Sequence, residues 1–199
     1  MSPDFQPISP AAAVFNADAS LYSQQFDDIY ASAQGALAQA RHVFLHGNQL
    51  PARLAESDLF TIAETGFGAG LNFLSAWRAL REASLPATRL HFISVEKHPF
   101  TRRDLEQIHA RCPELRELAA QLHERYPPLL PGFHRLHFDG GRVTLTLLFG
   151  EAAAMLRQVQ ARVDAFFLDG FSPAKNPQMW SREVFAELAR LANPDATFA

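Results

Sequence analysis

Glu64, Glu96 and Asp169 each close a short apolar run: Leu59-Phe60-Thr61-Ile62-Ala63, His91-Phe92-Ile93-Ser94-Val95 and Phe166-Phe167-Leu168. A carboxylate at a strand end can accept hydrogen bonds from ribose hydroxyls, face a cation, or take a proton from a nucleophile. The residues just past each acid narrow the choice. Glu64 leads into Thr65-Gly66-Phe67-Gly68-Ala69-Gly70, and the stretch from Leu71 to Leu80 is apolar at helical spacing. A strand feeding a glycine turn that opens a helix is the layout of a nucleotide-binding loop, since glycine lets main chain approach a ligand with no Cβ in the way.

Three kinds of nucleotide site compete for this turn. A phosphate loop requires Gly-Lys-Ser or Gly-Lys-Thr, and the turn has neither. A dinucleotide site uses Gly-x-Gly-x-x-Gly with the pyrophosphate on the helix N-terminus, whereas here the third glycine comes one residue early. Glu64 stands two residues before Gly66, where its charge would repel a pyrophosphate and suits a cation. S-adenosylmethionine carries a sulfonium and an ammonium. Glu64, Gly66, Gly68 and Gly70 therefore read as its binding turn, with Glu96 on the ribose hydroxyls. The plainer alternative is an ordinary tight turn.

Asp169 opens a second segment, Asp169-Gly170-Phe171-Ser172-Pro173-Ala174-Lys175-Asn176-Pro177. Ligands of open α/β sheets sit at the carboxyl ends of strands near the switch point. The strand after Glu64 and the strand before Asp169 are expected to be neighbours there, which would set Asp169 facing the methyl group. The competing role is a turn aspartate, because Asp-Gly is a common turn pair. Glu151 follows Phe149-Gly150 at a further strand end, where an acid can accept from an adenine amino group or simply sit in a helix first turn. Phe67, Phe171 and Trp180 offer stacking faces for a flipped base, though Phe67 and Trp180 read first as core. Lys175 can meet a phosphate. The histidines are read as showing no helical i, i+4 pair and no His-Glu-x-x-His pattern, and His134 and His137 fall on opposite faces of one strand, so no metal site is expected.

These residues need a scaffold. Leu59–Glu64, Leu90–Glu96 and Val163–Leu168 read as buried strands, and Phe133–Phe138 and Arg142–Phe149 as a hairpin turned by Asp139-Gly140-Gly141. Helices are expected over Gly35–Leu45, Leu71–Glu82, Thr101–Ala110 with Thr101 and Asp104 as its cap, Pro113–Arg125, Glu151–Gln160 and Pro177–Ala192. Leu50–Ala55 adds a helical turn with Pro51 at its first position. Alternating strands and helices give an α/β class with a mainly parallel sheet. Residues 1–58 form an N-terminal arm and helical extension, and residues 59–199 the core. Ala196 to Ala199 reads as the first half of another strand. A seven-stranded fold would need about 40 residues more, so a piece of a longer gene product is expected.

Composition sets outer limits. With 199 residues, 48% of them apolar and 20% charged, this is one soluble domain, or one domain with an arm. Seventeen Phe imply a large aromatic core, and the single Cys112 excludes an internal disulfide and a cysteine-cluster zinc site. No apolar run reaches the ~18 residues of a membrane span, and residues 1–10 lack the basic and apolar regions of a secretory signal, so a cytoplasmic location is the default. The net charge of −3 means that any nucleic-acid contact must come from a local patch or another domain. Arg41, His42, Arg53, Lys97, Arg102, Arg103 and Lys175 are its candidates, against the simpler reading of scattered solvated charges.

The segments Phe26-Asp27-Asp28-Ile29-Tyr30, Val43-Phe44-Leu45-His46-Gly47-Asn48, Ala63 to Phe73, Phe92-Ile93-Ser94-Val95-Glu96-Lys97, Phe149-Gly150-Glu151 and Phe167 to Trp180 resemble one family. It is the methyltransferase half of the bifunctional tRNA 5-methylaminomethyl-2-thiouridine biosynthesis proteins, and the likeness runs through almost the whole chain. The resemblance implies a Rossmann-like class I S-adenosylmethionine-dependent methyltransferase fold whose C-terminal strands lie beyond this chain. It implies methyl transfer to the primary amine of 5-aminomethyl-2-thiouridine at the tRNA wobble position. It also places Asn72 and Lys97 with Glu64, the three glycines, Glu96 and Glu151 around the cofactor, Asp169 at the reacting amine, and Phe171 and Lys175 on the substrate. Glu151 stands where the family often has Asp. In the family an FAD-dependent domain C-terminal to this one removes a carboxymethyl group first, and the chain carries none of it. A small-molecule amine methyltransferase and an inactive adenosyl-binding module share the same cofactor signature.

Overall fold

Apolar strands that alternate with amphipathic helices can bury both strand faces only by stacking helices on either side of one parallel sheet. The computed structural model describes residues 7–31, 35–85 and 87–199 and has this form. Val14–Phe15 (β1), Leu21–Ser23 (β2) and Asp28–Ala31 (β3) make a small antiparallel sheet. Ala36–Gln39 (α1) runs on as π-helical turns over Ala40–His46, and a 3-10 turn over Ala52–Glu56 leads to the core. The core begins with Leu59–Glu64 (β4), Leu71–Glu82 (α2), Arg89–Glu96 (β5), Arg102–His109 (α3), Arg116–Arg125 (α4), Gly132–Phe138 (β6) and Val143–Phe149 (β7). Ala152–Leu156 (α5), Val163–Phe167 (β8), Arg182–Leu191 (α6) and Ala192–Phe198 (β9) complete the chain.

The large sheet has the order β6-β7-β5-β4-β8-β9, parallel throughout except for the β6–β7 hairpin. The chain builds outward from β4 to one edge, then returns to β4's other side with β8. The switch point therefore lies between β4 and β8. The strand after Glu64 is β5, and β4 separates it from β8, so the expected pairing of those two is corrected. The strand that ends in Glu64 is the one that pairs with β8, Glu64 opposite Phe167. The physical reason is the parallel crossovers: β5 and β8 leave β4 on opposite sides.

Alternate residues of the strands feed two cores. Phe60, Ile62, Phe92 and Leu145 join Phe73, Trp77 and Leu122 of α2 and α4 on one face. Ala63, Ile93, Leu148 and Phe166 join Leu156 of α5 and Val184, Leu188 and Leu191 of α6 on the other. The phenylalanines concentrate in the first core, where Phe73, Trp77, Phe92 and Phe138 touch ring to ring. The extension is tied to the far edge. Arg53 donates to Thr197 Oγ1 (2.6 Å) and to the Asp164 and Asp195 carbonyls, and Thr197 donates to the buried Asn48 (2.6 Å). Arg53 is therefore a structural brace.

Thr101 and Asp104 form the expected capping box. Several helices differ from expectation: the one read over Gly35–Leu45 is α-helical only to Gln39 and π-helical from Ala40, and Pro113–Leu115 is a 3-10 turn ahead of α4. Residues 177–181 are turns, and α6 begins at Arg182 because the Ser181 hydroxyl takes the Val184 N–H and Trp180 is held back by an indole N–H bond to the Phe171 carbonyl (2.8 Å). Toward the other end, α5 stops at Leu156, and Glu151 is its cap rather than its first residue. Among the described residues no helix is long and apolar enough to cross a membrane.

Candidate active site

At the carboxyl end of β4 the chain must reverse into α2 within six residues, Thr65 to Gly70. The turn is bonded to both neighbouring strands. Thr65 N–H donates to the Phe167 carbonyl (3.1 Å) and Phe67 N–H to the Val95 carbonyl (3.1 Å). Gly70 sits at φ +71° directly over the Phe67 ring, and a Cβ there would lie 2.5 Å from Cζ. At Gly66 a Cβ would lie 3.1 Å from the Asp169 carbonyl oxygen. These two glycines are required by packing within the protein. Phe67, 3% exposed, is core. From beneath, the turn is held by His109 Nε2, 2.7 Å from the Ala69 carbonyl, with His123 Nε2 2.8 Å from His109 Nδ1. Burial lowers the His109 pKa to about 4, so it is neutral near pH 7.

Three acids gather at this edge. Glu64 is 1% exposed. Its Oε1 accepts from Asn72 Nδ2 (2.9 Å) and its Oε2 from Ser94 Oγ (2.6 Å). Burial, then the nearby Asp169 charge, push its carboxyl well above the usual range. Glu96 accepts the Gly68 N–H on Oε2 and the His98 N–H on Oε1, each at 2.8 Å, and burial raises it also. Asp169 accepts the Gly170 N–H on Oδ1 (2.8 Å) and Asn72 Nδ2 on Oδ2 (2.7 Å), and is raised by burial. Thr65 Oγ1 donates to the Asp169 carbonyl (2.9 Å), fixing the main chain of the acid to the glycine turn.

A cavity opens above these groups, walled by Gly66, Gly68, Asn72, Glu96, Lys97, Glu151, Asp169 and Phe171. Glu64 and Gly70 are not in its wall; Asn72 stands between Glu64 and the opening. Glu151 lines the far end while its carboxylate accepts the Ala153 and Ala154 N–H groups of α5. Lys97 is exposed at the rim and donates to Gln178 Oε1 (3.2 Å). Lys175 is turned outward onto Asp27 (Nζ–Oδ2 2.6 Å).

The N-terminal arm supplies a wall to which residue patterns alone assign no role. Phe26 stacks on Phe171 with centroids 4.6 Å apart, and Tyr30 meets Phe171 edge-on at 4.8 Å. Both line the cavity. The Phe26 to Tyr30 segment, two aromatics around two acids, is the one signal in the sequence that points there. His42 and His46 stand four apart on the π-helical turns with rings 6.3 Å apart, which corrects the expectation that no such pair occurs. Among the described residues no group of three His, Cys, Asp or Glu side chains is placed to hold a metal.

The donor set fits a cationic ligand. Glu96, Glu151 and Asp169 line the cavity with Glu64 behind Asn72, and the bonds to Glu64, Glu96 and Asp169 come from one amide, a hydroxyl and backbone N–H groups rather than from a cationic side chain. Each carboxylate oxygen of Glu96 takes one hydrogen bond and keeps a lone pair for a hydroxyl.

Comparison with known proteins agrees with this geometry. A family described as S-adenosyl-L-methionine-dependent methyltransferase matches residues 113–199. The tRNA 5-methylaminomethyl-2-thiouridine biosynthesis bifunctional protein MnmC of Azoarcus sp. is 55% identical over 193 residues, 97% of this chain and 30% of that protein. The protein of the same name from Thiobacillus denitrificans is 55% identical over 192 residues, 96% of this chain and 31% of its own length. The chain is homologous to these proteins over nearly its whole length and spans about 30% of theirs. The crystal structure of MNMC2 from Aquifex aeolicus shares the fold, with a TM-score of 0.68, 24% identity, and coverage of 99% of this chain and 60% of that one. The fold is thus Rossmann-like, of the S-adenosylmethionine-dependent methyltransferase kind.

Proposed function

We propose, from its homology to the bifunctional tRNA 5-methylaminomethyl-2-thiouridine biosynthesis proteins, that this chain transfers methyl from S-adenosylmethionine to the primary amine of 5-aminomethyl-2-thiouridine at the tRNA wobble position. The observation that carries this reading is the meeting of the glycine turn and the Asp169 loop at one cavity that Glu96, Glu151 and Asp169 line. The cofactor supplies an electrophilic methyl group on a sulfonium. Glu96 would take the ribose hydroxyls, Glu151 the adenine amino group and Lys97 the cofactor rim, while Gly66 and Gly68 leave main chain open to it. Glu64, sealed behind Asn72, does not touch the ligand and would act by holding Asn72 in place.

Asp169 does the proton chemistry. Its carboxylate accepts a hydrogen bond from the substrate amine and orients the lone pair. It takes the proton that nitrogen releases on gaining its new carbon bond, then passes it to water. Phe171, with Phe26 and Tyr30, forms the aromatic wall for the base, and Lys175 meets a phosphate after leaving Asp27. Residues 1–58 act as an extension and 59–199 as the methyltransferase core. An FAD-dependent oxidoreductase domain of the same polypeptide and a cytoplasmic location belong to this reading.

The test is methyl transfer from labelled cofactor to tRNA carrying the 5-aminomethyl group, using the native polypeptide. Asp169→Asn should lower transfer by about 10²-fold, the scale of a general base, with S-adenosylhomocysteine affinity nearly unchanged. Equal labelling of tRNA without that amine, or full activity of the Asn variant, would overturn the reading.

A further inference from the structure

Asn72 occupies the second position of α2, two residues past the left-handed Gly70. It is 8% exposed, and part of it faces the cavity. A primary amide carries two N–H donors and an acceptor oxygen. One Nδ2 hydrogen goes to Glu64 Oε1 (2.9 Å) and the other to Asp169 Oδ2 (2.7 Å). One amide group thus lies between two acids from neighbouring strands, β4 and β8, and its donors are used up in joining them. We infer that Asn72 is the positioning residue of the reaction: it fixes the Asp169 carboxylate toward the cavity and keeps it in the ionised, proton-accepting form. This inference rests on the methyltransferase reading of the same site.

The physical argument concerns which groups oppose ionisation of Asp169. Its burial opposes it, and so does the negative charge of Glu64 when that is ionised, since the two carboxyls repel each other. Across the cavity stand Glu96 from β5, Glu151 from α5, Tyr30 from β3 and His98 after β5; Lys97 and Lys175 are engaged with Gln178 and Asp27. Asn72 and the Gly170 N–H are the groups whose hydrogen bonds favour the charged form. Gly170 is the adjacent residue and moves with Asp169. Asn72 is anchored elsewhere, on α2 and on Glu64, so it alone can set the direction of the carboxylate relative to the glycine turn.

Two substitutions separate positioning from mere packing. Asn72→Ala removes both donors; Asn72→Asp keeps the shape but puts a third acid between the other two. Two readouts are taken. One is the titration of the Asp169 carboxyl by carbon NMR in the ligand-free native polypeptide. The other is the pH–rate profile of methyl transfer. Losing a donor to the carboxylate raises its pKa, so the carboxyl titration and the acid limb should both move to higher pH in Asn72→Ala, and further in Asn72→Asp. The turnover number should fall about 10- to 100-fold in each, with KM for tRNA little changed. If both variants titrate and turn over as the parent does while Asp169→Asn falls about 100-fold, Asn72 is a packing residue and the inference fails while the reading stands. If Asp169→Asn is also fully active, both fail.

Discussion

Ionisation of Glu64 is opposed by its surroundings in the ligand-free protein, because burial and the Asp169 charge both work against it. A carboxyl whose folded pKa is raised above its usual 4.5 contributes stability that is present at low pH and lost as pH rises through the raised value. Gln in its place keeps an oxygen for Asn72 and offers its N–H to Ser94 Oγ, without a titration. Glu64→Gln should therefore gain thermal stability over the parent progressively above about pH 5, by roughly 1–2 kcal/mol. Melting curves from about pH 5 to 9 check this. A stability difference that does not grow with pH would mean that Glu64 ionises freely.

At the scale of elements, the glycine turn is the piece whose geometry has least room. It joins β4 to α2, bonds to β5 and β8, and has Phe67 folded under Gly70. An alanine at position 70 meets the Phe67 ring and must hold φ +71°, two separate penalties. Gly70→Ala should cost about 3 kcal/mol of unfolding free energy and displace the turn that carries the Gly68 N–H to Glu96. Urea titration reads the first effect and cofactor affinity the second. Retention of both would show that Phe67 swings away at little cost. The helix starts are less legible in the sequence than the turn. The Thr101-x-x-Asp104 box marks α3 from neighbouring residues alone, whereas α6 waits for Ser181 because Trp180 bonds to Phe171, nine residues back.

For the molecule as a whole, a net charge of −3 opposes a polyanion, so on the proposed reading any tRNA contact made by this chain would come from a few cations on the rim of the site. The fold narrows the candidates drawn from the sequence: Arg53 is spent on β9, and Arg102 pairs with Glu106 on α3. Lys97 and Lys175 lie on the two loops that flank the cavity mouth. Binding of tRNA should weaken with salt along a shallow line in log K against log salt, and Lys175→Ala should reduce that slope by about 1, as for one phosphate contact. An unchanged slope would leave Lys175 as no more than the anchor of the arm through Asp27.

The strands β4 to β8, the glycine turn, the hairpin at Asp139 and the acids at strand ends are readable along the chain, whereas β9 starts at Ala192, four residues before the strand that the residue types suggest. Each readable feature depends on residue types within a few positions of one another: apolar runs, turn formers, cap donors. The homology of the Asp169 to Trp180 segment is equally local. Tertiary structure alone decided that β4 lies between β5 and β8, that Asn72 stands in front of Glu64 and reaches Asp169, and that Phe26 and Tyr30 close the cavity over Phe171. Most of those contacts join segments far apart in the chain, 97 residues for Asn72 and Asp169 and more for Phe26 and Phe171. They come from the order in which parallel strands cross over and from how cores pack on either face. No short-range propensity encodes that order. The sequence determined which chemical groups the site has, and the packing of distant strands decided which of them touch.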